Sequence, residues 1–230
     1  MIAFNMTNRG YPPFMIHGKG NQPPGGIMYD VLQTILSKHG IEVKTLAIPK
    51  KRELLNFRLG KLDAHATAVE WVASPDDFIF TDPILKIRNV LYSKASAPVH
   101  FSNTDDLVGM KAISRLGFIY PPLTEYFADG RITRQDVNNE LSMLKMILSD
   151  RGDFAIVNDA VGAWLVRQYK LHDKFAISEK NITNFDFRIM FTKKWKPLVR
   201  KFNQELAIMK KNGDLLRIFK RYGYVLAGAE

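Results

Sequence analysis

The chain has 230 residues, of which 46% are hydrophobic and 24% are charged, so it suits one large or two small globular domains and is neither a disordered tail nor a fibrous repeat. It contains no cysteine, which excludes a disulfide framework, a thiolate metal site and a cysteine nucleophile. The balance of 33 Lys+Arg against 23 Asp+Glu gives a formal net charge of +10. No apolar run approaches the roughly 18 residues of a membrane span.

Apolar spacing and turn residues predict strands and helices that alternate along the whole chain. In chain order, strands are predicted at 2–6, 42–48, 62–69, 89–92, 111–114, 131–137, 154–157 and 185–191. Helices are predicted at 27–36 with a C-cap at Gly40, at 49–59, 104–107, 123–128, 141–148 and 160–169, and in two final segments that Gly213 separates. Such alternation indicates a parallel sheet covered by helices on both faces.

Much of the positive charge lies in the C-terminal segment, residues 193–221. An excess of this kind suits nucleic acid, an anionic envelope surface or an acidic ligand. The segment has no nucleic-acid-binding motif and no aromatic residues that we expect to be exposed between the charges, so we interpret it as the solvated outer face of the terminal helices and expect no nucleic-acid partner. Its ten basic residues are Lys193, Lys194, Lys196, Arg200, Lys201, Lys210, Lys211, Arg217, Lys220 and Arg221.

No motif in the sequence supports catalysis or metal binding. A P-loop, a dinucleotide fingerprint, an HExxH helix and a GxSxG elbow are all missing, and the five histidines are too scattered for a metal site. Glu70 is the one acid to consider as a general base, because it follows an apolar strand-like run. We therefore expect no catalytic residue, no metal and no cofactor.

Seven short motifs follow one another over nearly the whole chain. They are YPPF at 11–14, GIMYDVL at 26–32, LGKLDA at 59–64, FTDP at 80–83, LVGMK at 107–111, RGDFAIVND at 151–159 and NGDLLRIFKRYG at 212–223. Each is weak alone, but seven in this order are hard to obtain by chance. In order and spacing the chain resembles the family 3 extracellular solute-binding proteins, the periplasmic amino-acid-binding proteins of ABC importers.

This resemblance implies an α/β fold, the two-lobed periplasmic-binding-protein fold of type II, whose lobes are joined by a two-stranded hinge. Lobe 1 would comprise residues 1–93 and, with the C-terminal helices, 187–230. Lobe 2 would comprise residues 94–186. The hinge strands would be 89–93 and 185–191. In this family the ligand is clamped between the lobes, where loss of water strengthens each charge-assisted hydrogen bond.

The resemblance also implies noncatalytic binding of a small polar molecule, an amino acid or a related compound, for ABC-type uptake. The expected partners are the ABC permease subunits of the inner membrane, and the expected state is a monomer in the periplasm. The chain does not open with a basic segment followed by an apolar run, which suits either a cytoplasmic protein or one whose signal peptide has been removed, and the resemblance implies the second.

Two other functions use the same fold. A ligand-sensing receptor domain would be followed by a transmembrane helix and a signalling domain. An enzyme similar to the dehydratase of cyclic prephenate-like acids would need a carboxylate general base, which Glu70 or Asp159 would have to supply.

The segment after the third motif departs from the family where the ligand carboxylate is bound. The position of the family's arginine is Ser74, and a serine cannot replace the charge and forked geometry of a guanidinium. The hydroxyl-bearing positions before it fall on Thr67, Val69 and Trp71, of which only Thr67 keeps the polar type.

The position of the family's ammonium-binding aspartate is Asn158, with Asp159 one residue later. Two interpretations follow. Another basic residue binds the ligand carboxylate, with Arg115 as the first candidate and Arg52 or Arg88 behind it, or the ligand is not a free amino acid.

Aromatic residues complete the set of ligand-binding residues that the resemblance implies. Tyr11 and Phe14 align with aromatic residues that cover the ligand in this family, and Trp71 adds another large face. Gly117 and Phe118 occupy the place of the family's Gly-Thr, so the glycine is kept and the hydroxyl is lost.

Overall fold

The computed structural model describes residues 1–224, which form two compact units. Unit 1 consists of Met1–Lys86 and the chain from Asp186 onward, and unit 2 consists of Ile87–Phe185. The predicted division into lobe 1 (1–93 with 187–230) and lobe 2 (94–186) stays a prediction. Residues 225–230 of the last segment lie outside the described residues.

Strands and helices alternate along the chain, as the apolar spacing predicts. The strands are β1 (Ile2–Asn5), β2 (Val43–Leu46), β3 (Ala64–Thr67), β4 (Phe78–Phe80), β5 (Leu85–Lys94), β6 (Lys111–Arg115), β7 (Thr133–Val137), β8 (Phe154–Asn158) and β9 (Phe175–Thr192). The helices are α1 (Ile27–Ser37), α2 (Lys50–Arg58), α3 (Thr124–Ala128), α4 (Glu140–Leu148), α5 (Asp159–Gln168), α6 (Lys196–Lys211) and α7 (Asp214–Arg221).

The sheet of unit 1 has the strand order β2-β1-β3-β9, and β4 also pairs with β9. Strand β1 is parallel to both β2 and β3, whereas β3 and β4 run antiparallel to β9, so the sheet is mixed and the predicted parallel sheet is wrong. Helices α1, α6 and α7 pack on one another. Strand β3 is buried along its whole length. It ends at Thr67, so the segment that follows begins at the C-terminal end of this strand.

The sheet of unit 2 has the strand order β5-β8-β6-β7, and β9 lies beside β5. Strand β8 is antiparallel to β5 and parallel to β6, which is in turn parallel to β7. Two apolar cores cover its faces, one centred on Phe154 and Leu123 and the other on Tyr92 and Leu144. Strands β5 and β9 both cross from one unit into the other.

Side-chain caps fix where the helices of unit 2 begin. The Asn139 side chain accepts a hydrogen bond from the Ser142 N–H at the start of α4, and Asn158 does the same for Val161 at the start of α5. Such caps satisfy N–H groups that have no partner within the helix. They also place Glu140 and Asp159 at the first helical positions.

Several predicted elements differ from the structure. The sequence prediction missed β4, and it assigned only residues 185–191 to β9. The predicted helix at 104–107 is a 3-10 turn that Asn103 and Asp106 cap reciprocally. Helix α1 ends at Ser37, and its C-cap is Lys38 rather than Gly40, so the glycine serves the turn that follows, where its φ is +65°.

Candidate functional site

The segment after β3 contains most of the predicted ligand-binding residues of unit 1. Thr67 is 1% exposed, and its Oγ1 donates a hydrogen bond to the Ala68 carbonyl oxygen at 3.1 Å. Residues Val69–Trp71 form a single 3-10 turn in which Val69 and Trp71 are half-buried and Glu70 is exposed. The Thr67 hydroxyl hydrogen therefore already has an acceptor within the chain. The turn leaves Trp71 partly exposed to solvent.

A chain of aromatic rings connects the predicted aromatic residues of unit 1. The ring centroids of Tyr11 and Phe14 lie 5.5 Å apart, those of Phe14 and Phe187 5.3 Å, and those of Phe187 and Trp71 6.1 Å. The last two pairs meet edge to face, a favourable geometry for aromatic rings. Phe14 and Phe187 are buried, whereas Tyr11 keeps 8% of its surface exposed and Trp71 is half-buried. The sequence prediction did not single out Phe187, although its place in an apolar strand could have indicated packing.

Ser74 lines a small cavity in unit 1. It precedes the 3-10 turn Pro75–Asp77, and its carbonyl oxygen accepts a hydrogen bond from the Asp77 N–H at 3.2 Å. The cavity has a volume of about 150 Å³, a size that holds a small organic group. Its walls include Lys50, Glu53, Leu54, Phe57, Trp71, Val72, Ala73, Ser74, Phe78 and Met190.

A buried ionisable pair includes Glu53 of the cavity wall. Glu53 on α2 and His65 on β3 are each 4% exposed, and Oε2 of Glu53 lies 3.5 Å from Nε2 of His65 and 3.5 Å from Nζ of Lys50. Nδ1 of His65 hydrogen-bonds the carbonyl oxygen of Asn5 at 3.1 Å. Burial lowers the pKa of His65, and the Glu53 carboxylate opposes this. The neutral imidazole is therefore favoured in the folded state.

This pair predicts a pH-dependent stability. The unfolded chain binds a proton at His65 as the pH falls through about 6.5, while the folded chain still resists it, so the free energy of unfolding decreases below that pH. Replacing His65 with glutamine is expected to remove this contribution, a slope of at most about 1.4 kcal/mol per pH unit. Urea unfolding at several pH values measures it, with the exposed His172→Gln as control. If the free energy of unfolding depended on pH in the same way in His65→Gln and in the native protein, His65 would not be its source.

In unit 2, Arg115 is engaged by a carboxylate of the same unit. It ends β6, and its Nη1 forms an ion pair with Oε2 of Glu140, the first residue of α4. The two side chains are 18% and 12% exposed. The guanidinium also lies 5.6 Å from the ring centroid of Phe118. Burial raises the pKa of Glu140, and Arg115 acts in the opposite direction.

Asn158, the predicted ammonium-binding position, also forms its hydrogen bonds within unit 2. Asn158 accepts a hydrogen bond from the Val161 N–H and donates one to the Arg88 carbonyl oxygen, both at 3.2 Å. Oδ2 of Asp159 lies 2.8 Å from both Nε and Nη2 of Arg88. Two sequence candidates, Arg88 and Asp159, thus bind each other.

The loop after β6 makes a tight turn. Gly117 has a φ of +81°, a conformation that favours glycine, and it is exposed. The carbonyl oxygen of Phe118 accepts a hydrogen bond from Nη2 of Arg134 at 3.0 Å. Within residues 1–224, no group of three His, Asp or Glu side chains is placed to hold a metal ion.

Comparison with known proteins identifies the family and the fold. Residues 5–225 match the bacterial extracellular solute-binding proteins, family 3. No curated protein is a significant match by sequence. None of the helices in the described part of the chain is long and apolar enough to cross a membrane.

Solved structures confirm the predicted periplasmic-binding-protein fold. A histidine kinase sensor domain similar to periplasmic binding proteins has a TM-score of 0.80 at 19% identity, covering 98% of this chain and 97% of its own. An arginine transport periplasmic binding protein from Legionella pneumophila has a TM-score of 0.75 at 20% identity, covering 96% and 98%. An ancestral amino-acid-binding protein, a precursor of cyclohexadienyl dehydratase, has a TM-score of 0.76 at 17% identity, covering 96% and 94%.

Proposed function

The chain belongs to the bacterial extracellular solute-binding proteins, family 3, and from this we propose that it binds a small polar molecule, an amino acid or a related compound, without transforming it. We further propose that it acts in the periplasm as a monomer and delivers this ligand to the permease subunits of an ABC importer.

The observation that carries the proposal is the chain of aromatic rings that ends at the half-buried Trp71. Small-molecule sites in proteins are lined mainly by apolar and aromatic side chains, with a few polar groups that fix orientation. Trp71, Ser74 and the small cavity between them supply such a surface in unit 1. Tyr11 and Trp71 are the proposed ligand contacts there, while the buried Phe14 supports them through packing.

The charged groups of unit 2 support a ligand that does not need both charges of a free amino acid. Arg115 is paired with Glu140, and Arg88 is paired with Asp159. A ligand carboxylate would have to displace a carboxylate that already neutralises the guanidinium, which forfeits most of the gain. We therefore propose that hydrogen bonds and aromatic contacts provide most of the affinity.

Ligand sensing is the second candidate function. It is favoured by the similarity to the histidine kinase sensor domain, whose TM-score is 0.80. Uptake and sensing share the same ligand-binding step. They differ in the partner protein that recognises the ligand-bound form. Loss of uptake of the identified ligand in cells that lack the gene would support transport, and unchanged uptake would support sensing.

Catalysis is a weaker proposal, because neither candidate base is placed for it. Glu70 is exposed on its turn, and Asp159 is held by Arg88. A general base must reach the proton that it removes and must be free to accept it.

A thermal-unfolding screen tests the binding proposal. Protein stripped of ligand by unfolding and refolding is mixed with amino acids, short peptides, amines and carboxylic acids. A ligand at about 100 times its Kd adds about 2.7 kcal/mol to the free energy of unfolding, which raises the Tm by several degrees. We expect such a shift from at least one class, and no shift from any class would contradict the proposal.

A further inference from the structure

The basic residues of segment 193–221 lie on the surface of unit 1. Each of its ten basic residues has an exposed side chain, whereas its two acidic residues, Glu205 and Asp214, are half-buried and bound to Lys38 and Arg217. The segment therefore presents almost only positive charge to solvent.

These charges are ordered along helix α6. Residues 196, 200, 204, 207 and 211 are all exposed, and steps of three and four place them in one line along the helix. Lys196 and Arg200 begin this line, and Lys211 ends it. The opposite side of the helix is buried in the unit through Leu198, Phe202, Leu206 and Met209. The line runs most of the helix, whose 16 residues span about 24 Å.

Most of these side chains have no acidic partner. Lys194 pairs with Asp63 and Arg221 with Asp30, and Nζ of Lys210 donates to a carbonyl oxygen. Six others form no ion pair with any described residue, and we call them the basic face: Lys193, Lys196, Arg200, Lys201, Lys211 and Lys220.

The basic face is present despite an unfavourable local position. Lys193, Lys194 and Lys196 surround the N-terminus of α6, and the first turn of this helix contains no acidic residue. The N-terminus carries the positive end of the helix dipole, which disfavours nearby cations. Asp63 compensates Lys194, whereas Lys193 and Lys196 have no acidic partner among the described residues, so interactions within the fold do not account for these two lysines.

Aliphatic side chains between the charges indicate the kind of partner. Ile208 on α6 is 49% exposed and Leu216 on α7 is 43% exposed. None of the aromatic residues in segment 193–221 is exposed: Trp195 is half-buried, and Phe202 and Phe219 are buried. Basic and aliphatic residues together suit a membrane surface, whereas single-stranded nucleic acid is bound through exposed aromatic rings.

We propose that the basic face of α6 and α7 binds the anionic phospholipid surface of a membrane. The contact is mainly electrostatic, and the exposed Ile208 and Leu216 would add apolar contact in the headgroup layer. It is separate from ligand binding and would hold the protein close to a membrane-embedded partner, whichever that partner is.

Sedimentation with lipid vesicles tests this proposal on the intact chain. We expect binding to phosphatidylcholine vesicles that contain about 30 mol% phosphatidylglycerol, no binding to pure phosphatidylcholine vesicles, and release at about 0.5 M salt. Each basic residue near such a surface contributes roughly fivefold to partitioning. The variant Lys196→Glu/Arg200→Glu/Lys211→Glu is expected to bind at least about 100-fold more weakly.

A matched control separates the face from net charge. The variant Lys51→Glu/Arg58→Glu/Lys61→Glu makes the same change in charge at exposed positions elsewhere on unit 1, and it is expected to keep most of the vesicle binding. Circular dichroism checks that both variants fold. Equal loss in both variants, equal binding to neutral vesicles, or tighter binding to duplex DNA than to anionic vesicles at the same phosphate concentration would each overturn the proposal.

Discussion

Replacing Arg115 with alanine is expected to lower the free energy of unfolding by about 3 kcal/mol. The substitution leaves the Glu140 carboxylate, which is only 12% exposed, without its partner, and an unpaired buried charge is strongly destabilising. Burial already raises the pKa of Glu140, so the carboxyl group is expected to take up a proton more readily in the variant. Urea unfolding measures the loss of stability, and its recovery at lower pH would identify Glu140 as the cause.

A double variant separates the structural role of Arg115 from ligand binding. Replacing a buried ion pair by apolar residues of similar size is often nearly neutral, so Arg115→Met/Glu140→Leu is expected to recover most of the stability. If Arg115 serves only to neutralise Glu140 within unit 2, the double variant keeps its ligand affinity. Loss of affinity with restored stability would assign Arg115 to the ligand, as the sequence predicts. A stable Arg115→Ala variant would contradict the account of the pair.

Replacing Trp71 with alanine is expected to weaken ligand binding by about 1–3 kcal/mol, which is roughly 5- to 150-fold in Kd. Trp71 is the half-buried end of an aromatic chain whose inner ring, Phe187, is 1% exposed. Its face is therefore supported from behind and can cover an apolar surface of the ligand. Titration calorimetry with a ligand from the screen measures the change.

The matched variant for this position is Trp71→Phe, which keeps an aromatic face. It is expected to bind within a few-fold of the native affinity, because most of the aromatic contact area is retained. Unchanged affinity in Trp71→Ala would place this side chain outside the site. Equal losses in both variants would show that the indole N–H, rather than the ring face, makes the contact.

The order of strands and helices could be read from the sequence because most core elements carry a regular apolar spacing. Helix α6 is an example, because its buried residues recur every three or four positions: Leu198, Phe202, Leu206 and Met209. The first half of β9 was missed because Glu179 and Lys180 interrupt its apolar pattern and both are exposed. The three residues of β4 are too few to show a period.

The side-chain pairs of the candidate site could not be predicted in the same way. Arg115 and Glu140 are 25 residues apart, and Arg88 and Asp159 are 71 residues apart, so only the fold brings each pair together. The resemblance predicted that Ser74 and Asn158 stand where the family has an arginine and an aspartate. It could not show that Arg88 and Asp159 are bound to each other, nor that Arg115 is bound to Glu140.

The most direct test of the central claim compares each amino acid with two analogues, the amine that lacks its carboxylate and the acid that lacks its ammonium group. Thermal unfolding of ligand-free protein is measured with all three at equal concentration. We expect at least one single-charge analogue to raise the Tm as much as its parent amino acid, because Ser74 and Asn158 supply neither charge of the family's anchoring pair. A Tm shift only from parent amino acids that carry both groups would contradict this account.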